Sequence, residues 1–235
     1  MTQIVSRRSW IRGLAAVAVA AAFGAAGPAS AQQESVARTV HNLSVSGPGE
    51  VRALTETEVC KFCHVPHNAV VPEPLWGHAL SRVPSYAVPQ LRRGRVAVPV
   101  PQPDGASRLC LSCHDGTVAL GDLGPRRRVV PMAGAQRLER GRRGFIGTDL
   151  SGSHPVSFVV PDGDPGGTDT ARDLGLRPLA LVRSEGHVRL DAQGKMQCTT
   201  CHDPHSDRNY RPGRVPHFWN RPTVDEVCLA CHELR

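Results

Sequence analysis

The chain has 235 residues, a formal net charge of +7, 4% aromatic side chains, 23 Gly, 20 Pro and 8 Cys. So few aromatics beside so many turn-formers leave the polypeptide short of apolar bulk and predict a loop-rich chain held together by something besides its own packing. Three arginines and no acids fall in the first 31 residues, so the remainder carries 25 basic against 21 acidic groups, a net of +4 that gives little support to a nucleic-acid partner.

Arg7, Arg8 and Arg12, the apolar run over 14–23 and Ala29-Ser30-Ala31 predict a secretory signal peptide over 1–31, with delivery to the periplasm or the cell exterior. Ser6-Arg7-Arg8 also fits a twin-arginine signal, although the general secretory route suits a chain that receives its cofactor after export in unfolded form. Beyond Phe23 no stretch reaches the roughly 18 consecutive apolar residues that span a bilayer, so no transmembrane segment is expected in the mature chain.

All eight cysteines fall in four Cys-x-x-Cys-His units: Cys60, Cys63, His64; Cys110, Cys113, His114; Cys198, Cys201, His202; and Cys228, Cys231, His232. That pattern is the attachment signature of a c-type haem. Two thiols at this spacing reach the two vinyl groups of one porphyrin, and the next imidazole is held against the iron as proximal ligand. Four covalently attached haem c (heme c) groups are predicted. A disulfide scaffold or structural zinc would also use eight cysteines, but neither explains a histidine after every second one.

Eleven histidines are present, and four are spent as proximal ligands. Only Met132 and Met196 lie beyond the signal, so methionine cannot serve as the general sixth ligand, and bis-histidine ligation is expected. Two of the units continue as Cys-x-x-Cys-His-x-Pro-His, placing His67 three residues after His64 and His205 three after His202. The backbone between such a pair spans at most about 10 Å, too short to pass round a macrocycle and ligate the same iron from its other face. Pro66 and Pro204 stiffen each tether, so His67 and His205 are assigned to irons other than their neighbours'. His41, upstream of the first unit, and His154, between the second and third, complete the distal set. His78 is held in reserve, and His187 and His217 are read as surface or propionate contacts.

The chain divides into a two-haem module over 41–115, a basic connector over 116–197 and a second two-haem module over 198–235. The fold expected is mostly irregular and loop-rich, with short helices at the attachment sites, a few short strands and the haems as its core. Helical pattern is best over 59–64 and 224–234. Pro84, Pro89, Pro99, Pro101 and Pro103 predict an extended first spacer. In the connector, Arg126-Arg127-Arg128 and Arg137, Arg140, Arg142 and Arg143 read as a solvated basic segment, 161–167 as a turn-rich loop, and 179–183 with 187–190 as a hairpin followed by a strand from Gly194.

His41-Asn-Leu-Ser, Cys-x-x-Cys-His-x-Pro-His, Pro74-Leu75-Trp76-Gly-His78, Ser153-His154-Pro155 and Cys-x-x-Cys-His-Asp-Pro-His, in this order, resemble the doubled-CXXCH cytochromes that include the OmcE-type tetrahaem proteins. The resemblance implies a continuous stack of bis-histidine haems. For OmcE-type members it also implies a homopolymer forming extracellular filaments in which one subunit gives a distal histidine to the next, a role that matches His41 on a mobile N-terminal arm. One-electron transfer with redox partner proteins or extracellular acceptors is the expected function, with no catalytic residues. A multihaem nitrite or hydroxylamine enzyme with one open iron is the alternative.

Overall fold

In the computed structural model the described residues are 35–71, 74–93, 96–123, 128–162 and 174–233. The expected signal peptide over 1–31, Arg126, Arg127 and most of the loop at 161–167 lie outside them. Regular structure is short and local: 3-10 turns Val36–Arg38 and Cys60–Phe62, strands β1 Arg52–Ala53, β2 Leu91–Arg93, β3 Val96–Val98, β4 Asp122–Leu123, β5 Arg128–Val129 and β6 Met132–Ala133, and helices α1 Gly105–His114, α2 Leu179–Ser184, α3 Cys198–Cys201 and α4 Val224–Leu229. The strands form antiparallel two-stranded pairs, β1 with β6, β2 with β3 and β4 with β5. The loop-rich reading with short helices holds.

Each attachment site carries a helical turn, as its geometry requires. At α4 the Thr223 hydroxyl accepts from the Glu226 amide at 3.3 Å, and Asp225 and Glu226 complement the positive end of the helix. At α3 the Thr200 hydroxyl accepts from the Gln197 amide at 2.9 Å, and the Thr200 amide donates to the Gln197 backbone carbonyl at 2.9 Å. The longest helix is α1, whose pattern the sequence reading passed over, whereas 59–64 forms only the 3-10 turn.

The expected hairpin over 179–190 is corrected. The segment at 179–183 is helix, not strand: Pro178 starts it, Asp162 Oδ1 accepts from the Leu179 amide at 2.9 Å, and Val182 is buried on the inward face. Nothing among the described residues pairs with it at 187–190, whereas Gly194, at φ +75°, does open a short extended pairing towards the third site: Lys195 bridges Val159 antiparallel, the Val160 amide donates to the Gly194 carbonyl at 3.1 Å and the Met196 amide to the Phe158 carbonyl at 3.0 Å. The proline-rich spacer is free of helix over 79–93 and 96–103, and Pro89 and Pro99 bound the β2–β3 ladder, in register Leu91↔Val98.

Two apolar clusters lie among the described residues. The first joins Ala53, Phe62, Leu120, Leu123, Val130 and Met132, with Cys63 and Cys113 packed against it. The second joins Val182, Val188, Val227, Ala230 and Cys231, with Cys201 and Trp219 on its edge. Between them α1 meets α3 through polar groups. The buried Gln197 side-chain oxygen accepts from the Ser107 amide at 3.1 Å, the Ser107 hydroxyl at 2.6 Å and the Ser157 hydroxyl at 3.3 Å. Its amide donates to Asp104 at 3.1 Å and Asp191 at 3.0 Å, and Lys195 pairs with Asp104.

Candidate haem sites

The eight thiols are unbridged; Cys60 and Cys228 are exposed, Cys231 is buried and the other five are half-buried. Cys63 is close enough to Cys113 for each local charge to matter, the Cys110 S–H donates to Cys198, and Cys201 lies beside Cys231. Each attachment site therefore adjoins the next, in the sequence first, second, third, fourth. Burial, reinforced by neighbouring thiols, pushes the Cys63 and Cys201 thiols up to about 12, and burial does the same for Cys113. The bond from Cys110 brings Cys198 down to about 7. Among the described residues no group of three or more His, Cys, Asp or Glu side chains converges to hold a bare metal ion, as a structural zinc would require.

The proximal histidines suit an iron. Nδ1–H of His64 donates to the Pro74 carbonyl at 2.7 Å, His114 to Gly144 at 2.6 Å, His202 to His217 at 3.2 Å and His232 to Leu174 at 3.1 Å. A carbonyl only accepts, so in all four rings the proton sits on Nδ1 and the Nε2 lone pair is free, the tautomer a metal ligand needs. Burial also lowers His202 from its ordinary value and keeps it neutral.

Three of these four sites share a backbone arrangement. At the first, the Leu75 carbonyl accepts from the Val65 amide at 2.9 Å, and the Gly77 amide donates to the Cys63 carbonyl at 2.8 Å. At the third, Phe218 accepts from Asp203 at 2.7 Å and Asn220 donates to Cys201 at 3.0 Å; at the fourth, Gly175 accepts from Glu233 at 2.8 Å and Arg177 donates to Cys231 at 2.8 Å. Each clamp is four residues long: 74–77, 217–220 and 174–177. In each the second residue is left-handed, Leu75 at φ +62°, Phe218 at +63° and Gly175 at +63°. Trp76 and Trp219, third in their clamps, meet the proximal rings edge-on, with centroids 6.0 and 4.9 Å away. Trp76 Nε1 is buried with no partner among the described residues, a donor left available for a cofactor carboxylate. The sequence reading missed these clamps; the signal was the tryptophan two residues after the carbonyl, in Pro-Leu-Trp-Gly and His-Phe-Trp-Asn.

Second imidazoles stand opposite three of the four proximal ones. His205 stacks towards His64 with centroids 6.1 Å apart, His41 lies 6.0 Å from His114, and His154 lies 6.3 Å from His232. His41 donates Nδ1–H to Pro204 O at 3.1 Å and His154 to Pro155 O at 2.8 Å, again freeing Nε2. Burial, then the nearby His114, lowers His41 to about 4. The mobile arm expected for His41 is not found: its ring stacks on Phe218 at 4.0 Å, inside the same chain. His67 is exposed, with no described ring opposite it.

His78, the reserve ligand, is fully buried, with Nδ1 3.0 Å from the Ala79 carbonyl and Nε2 3.0 Å from the Ala119 carbonyl and 3.6 Å from Cys113 Sγ; burial lowers it from its ordinary value, and the neutral ring has one N–H to give to one of the two carbonyls. His187 is exposed, as expected, near Arg208. His217 is not a surface residue: Nδ1–H donates to Asp207 at 2.5 Å, Tyr210 stacks on its ring at 3.5 Å, and Arg143 donates to Nε2 at 3.0 Å. The basic segment is thus partly engaged, since Arg142 also donates to Gly134 O at 2.8 Å.

Residues 191–234 match the profile of the doubled CXXCH motif family, a stretch that contains the third and fourth attachment sites. No curated protein matches the chain. The family match supports a multihaem c-type cytochrome involved in electron transfer, and the Cys-x-x-Cys-His units indicate covalently bound c-type haem. No helix among the described residues is long and apolar enough to cross a membrane.

Proposed function

We propose that the chain is an exported tetrahaem cytochrome that carries single electrons along four closely spaced bis-histidine haems, without a catalytic site of its own. The pairs of axial ligands in this reading are His64 with His205, His114 with His41 and His232 with His154, and His67 is assigned to His202 by elimination. The reading rests above all on the three imidazole pairs at 6.0 to 6.3 Å. Two imidazoles bound to one metal at about 2 Å each have centroids about 6 Å apart, because each ring centre lies about 1 Å beyond its nitrogen. Bound haem c supplies the one-electron ferric–ferrous couple. The chain's residues hold each proximal lone pair at a fixed direction and bring a second imidazole opposite three of the four.

The pairing of His64 with His205 joins the two modules, because His205 is tethered by Pro204 to the third site. His41, held by Pro204 O and Phe218, ties the second site to the same segment. Redox proteins or extracellular acceptors are the partners in this reading, and a homopolymer in which copies of the chain abut end to end extends it. Intact mass and visible spectra of the exported protein test the reading: four covalent haems with low-spin spectra are expected, and any lower count of haems refutes the tetrahaem assignment. Fibres one molecule wide in electron micrographs of dilute protein are the outcome expected of the filament form, and dispersed monomers exclude it.

One observation favours a second reading. His202 has no second imidazole opposite it among the described residues, as a site with an open coordination position would. Carbon monoxide binding by about a quarter of the haem would favour a nitrite- or hydroxylamine-type enzyme, and absence of binding favours transfer.

A further inference from the structure

No side chain is common to all three clamps at 74–77, 174–177 and 217–220, Pro-Leu-Trp-Gly, Leu-Gly-Leu-Arg and His-Phe-Trp-Asn, and only the tryptophan at the third position recurs, in two of them. What they have in common is backbone. In each, the first carbonyl accepts from the proximal Nδ1–H, the second accepts from the amide after that histidine, and the fourth amide donates to the second cysteine's carbonyl. The left-handed second residue makes this possible, because it turns the first two carbonyls towards the same strand. Glycine adopts that conformation freely, but Leu75 and Phe218 hold it at a cost of about 1 kcal/mol or more each. Strain repeated at one position in two unlike sequences marks a constraint on the backbone there, and the nearest group it constrains is the proximal imidazole.

We infer that Leu75, Gly175 and Phe218 are positioning residues for the first, fourth and third haems, which set the reduction potential of each iron through the Nδ1–H···O=C bond to its proximal histidine. A carbonyl accepting from Nδ1–H increases the electron donation of Nε2 and favours the ferric state. The second site reaches the same bond by another route: Gly144 supplies its own carbonyl at φ +85°, and the Ile146 amide donates to the His114 carbonyl at 2.8 Å. It therefore acts as an internal reference that changes at the other three clamps should leave untouched.

This inference rests on haem attachment at all four sites, and the fourth offers the cleanest test. A Cβ at Gly175 meets nothing closer than the Glu233 carbonyl oxygen at 3.4 Å, so side-chain room does not decide what happens there. Asparagine tolerates the left-handed conformation and valine, being β-branched, does not. Holoproteins carrying Gly175→Asn and Gly175→Val are compared with the parent by intact mass, potentiometric titration and electron paramagnetic resonance. Four haems in all three, with one component of the titration and one set of resonance signals displaced to a more positive potential and altered anisotropy in Gly175→Val alone, is the expected result. Loss of one haem from Gly175→Val alone also supports the inference, since the clamp then governs attachment as well. Superimposable titrations, or equal effects of Asn and Val, overturn it. A parent protein with fewer than four haems would instead count against the tetrahaem reading.

Discussion

Replacing Gln197 by leucine isolates the joint between the modules. The two residues have similar volume, so the change removes hydrogen bonds without opening a cavity. Gln197 is 1% exposed, and its side chain takes part in five hydrogen bonds, three received from Ser107 and Ser157 and two given to Asp104 and Asp191. Both carboxylates lie near water and can be rehydrated, so their bonds contribute little to the difference. The Ser107 amide and hydroxyl cannot, because Ser107 has no exposed surface. At about 1 kcal/mol for each of the three bonds that end on the buried oxygen, Gln197→Leu should destabilise by about 3 kcal/mol. For a chain of this size that lowers the midpoint of thermal unfolding by about 6 to 12 °C. The assay is far-ultraviolet circular dichroism of the holoprotein on heating, with Gln193→Leu at an exposed position as control. A midpoint for Gln197→Leu within about 2 °C of the control would refute the claim that this oxygen organises the joint.

Gly105→Ala should act through the same joint, since at φ +47° its new Cβ would stand 2.9 Å from the Gln197 side-chain nitrogen; a loss of about 1 to 3 kcal/mol is expected, and it should shrink in the Gln197→Leu background when the double-mutant cycle is closed by denaturant unfolding. Burial raises the Asp104 carboxyl, but the bonds from Lys195, Gln197 and Ser157 outweigh it and hold it below its ordinary value. A depressed carboxylate stabilises above its unfolded value and loses that contribution as pH falls through the folded one, so the stability gap between parent and Asp104→Asn, measured in urea, should be open at pH 7 and close below about pH 4. His205→Ala should leave one iron able to bind carbon monoxide, about a quarter of the total, whereas His187→Ala should leave none; equal spectra of the two variants would remove His205 from the ligand set.

The attachment sites were legible in the sequence because their chemistry demands contiguity: two thiols and an imidazole must meet one macrocycle, and only Cys-x-x-Cys-His supplies them from a single turn. Which histidine faces which iron was not legible to the same degree. The tether argument excluded His205 from the iron of His202, but its place opposite His64 depends on contacts more than a hundred residues apart in the chain. His41 shows the same limit. Its place upstream of the first unit made it a candidate distal ligand, but what holds it is Pro204 O, 163 residues away, together with a left-handed Phe218 that no propensity would put there. At 179–183 the turn-like Ser184-Glu185-Gly186 that follows suggested a hairpin, but Leu179, Ala180 and Leu181 favour helix, and burial of Val182 beside Val188 and Val227 decides the outcome.

The clamps explain why so irregular a chain can still fix several metal sites. A helix of four to six residues, as at α3 and α4, is too short to be stable alone or to aim a side chain well. A distant segment that makes two backbone–backbone hydrogen bonds and accepts one from the imidazole at a carbonyl restrains the residues on either side of the ring and the ring itself, which a longer helix would not do. It uses no side chain, so its sequence is free to vary while the haem geometry is kept. On that argument the tolerance of the clamps should be opposite to that of a packed core: wide substitution at their first, third and fourth positions, and a restriction at the second to residues that accept a positive φ. Trp76→Phe and Trp219→Phe should therefore retain four haems, while Leu75→Val should not match Leu75→Gly in potential at the first site, as measured by the same titration.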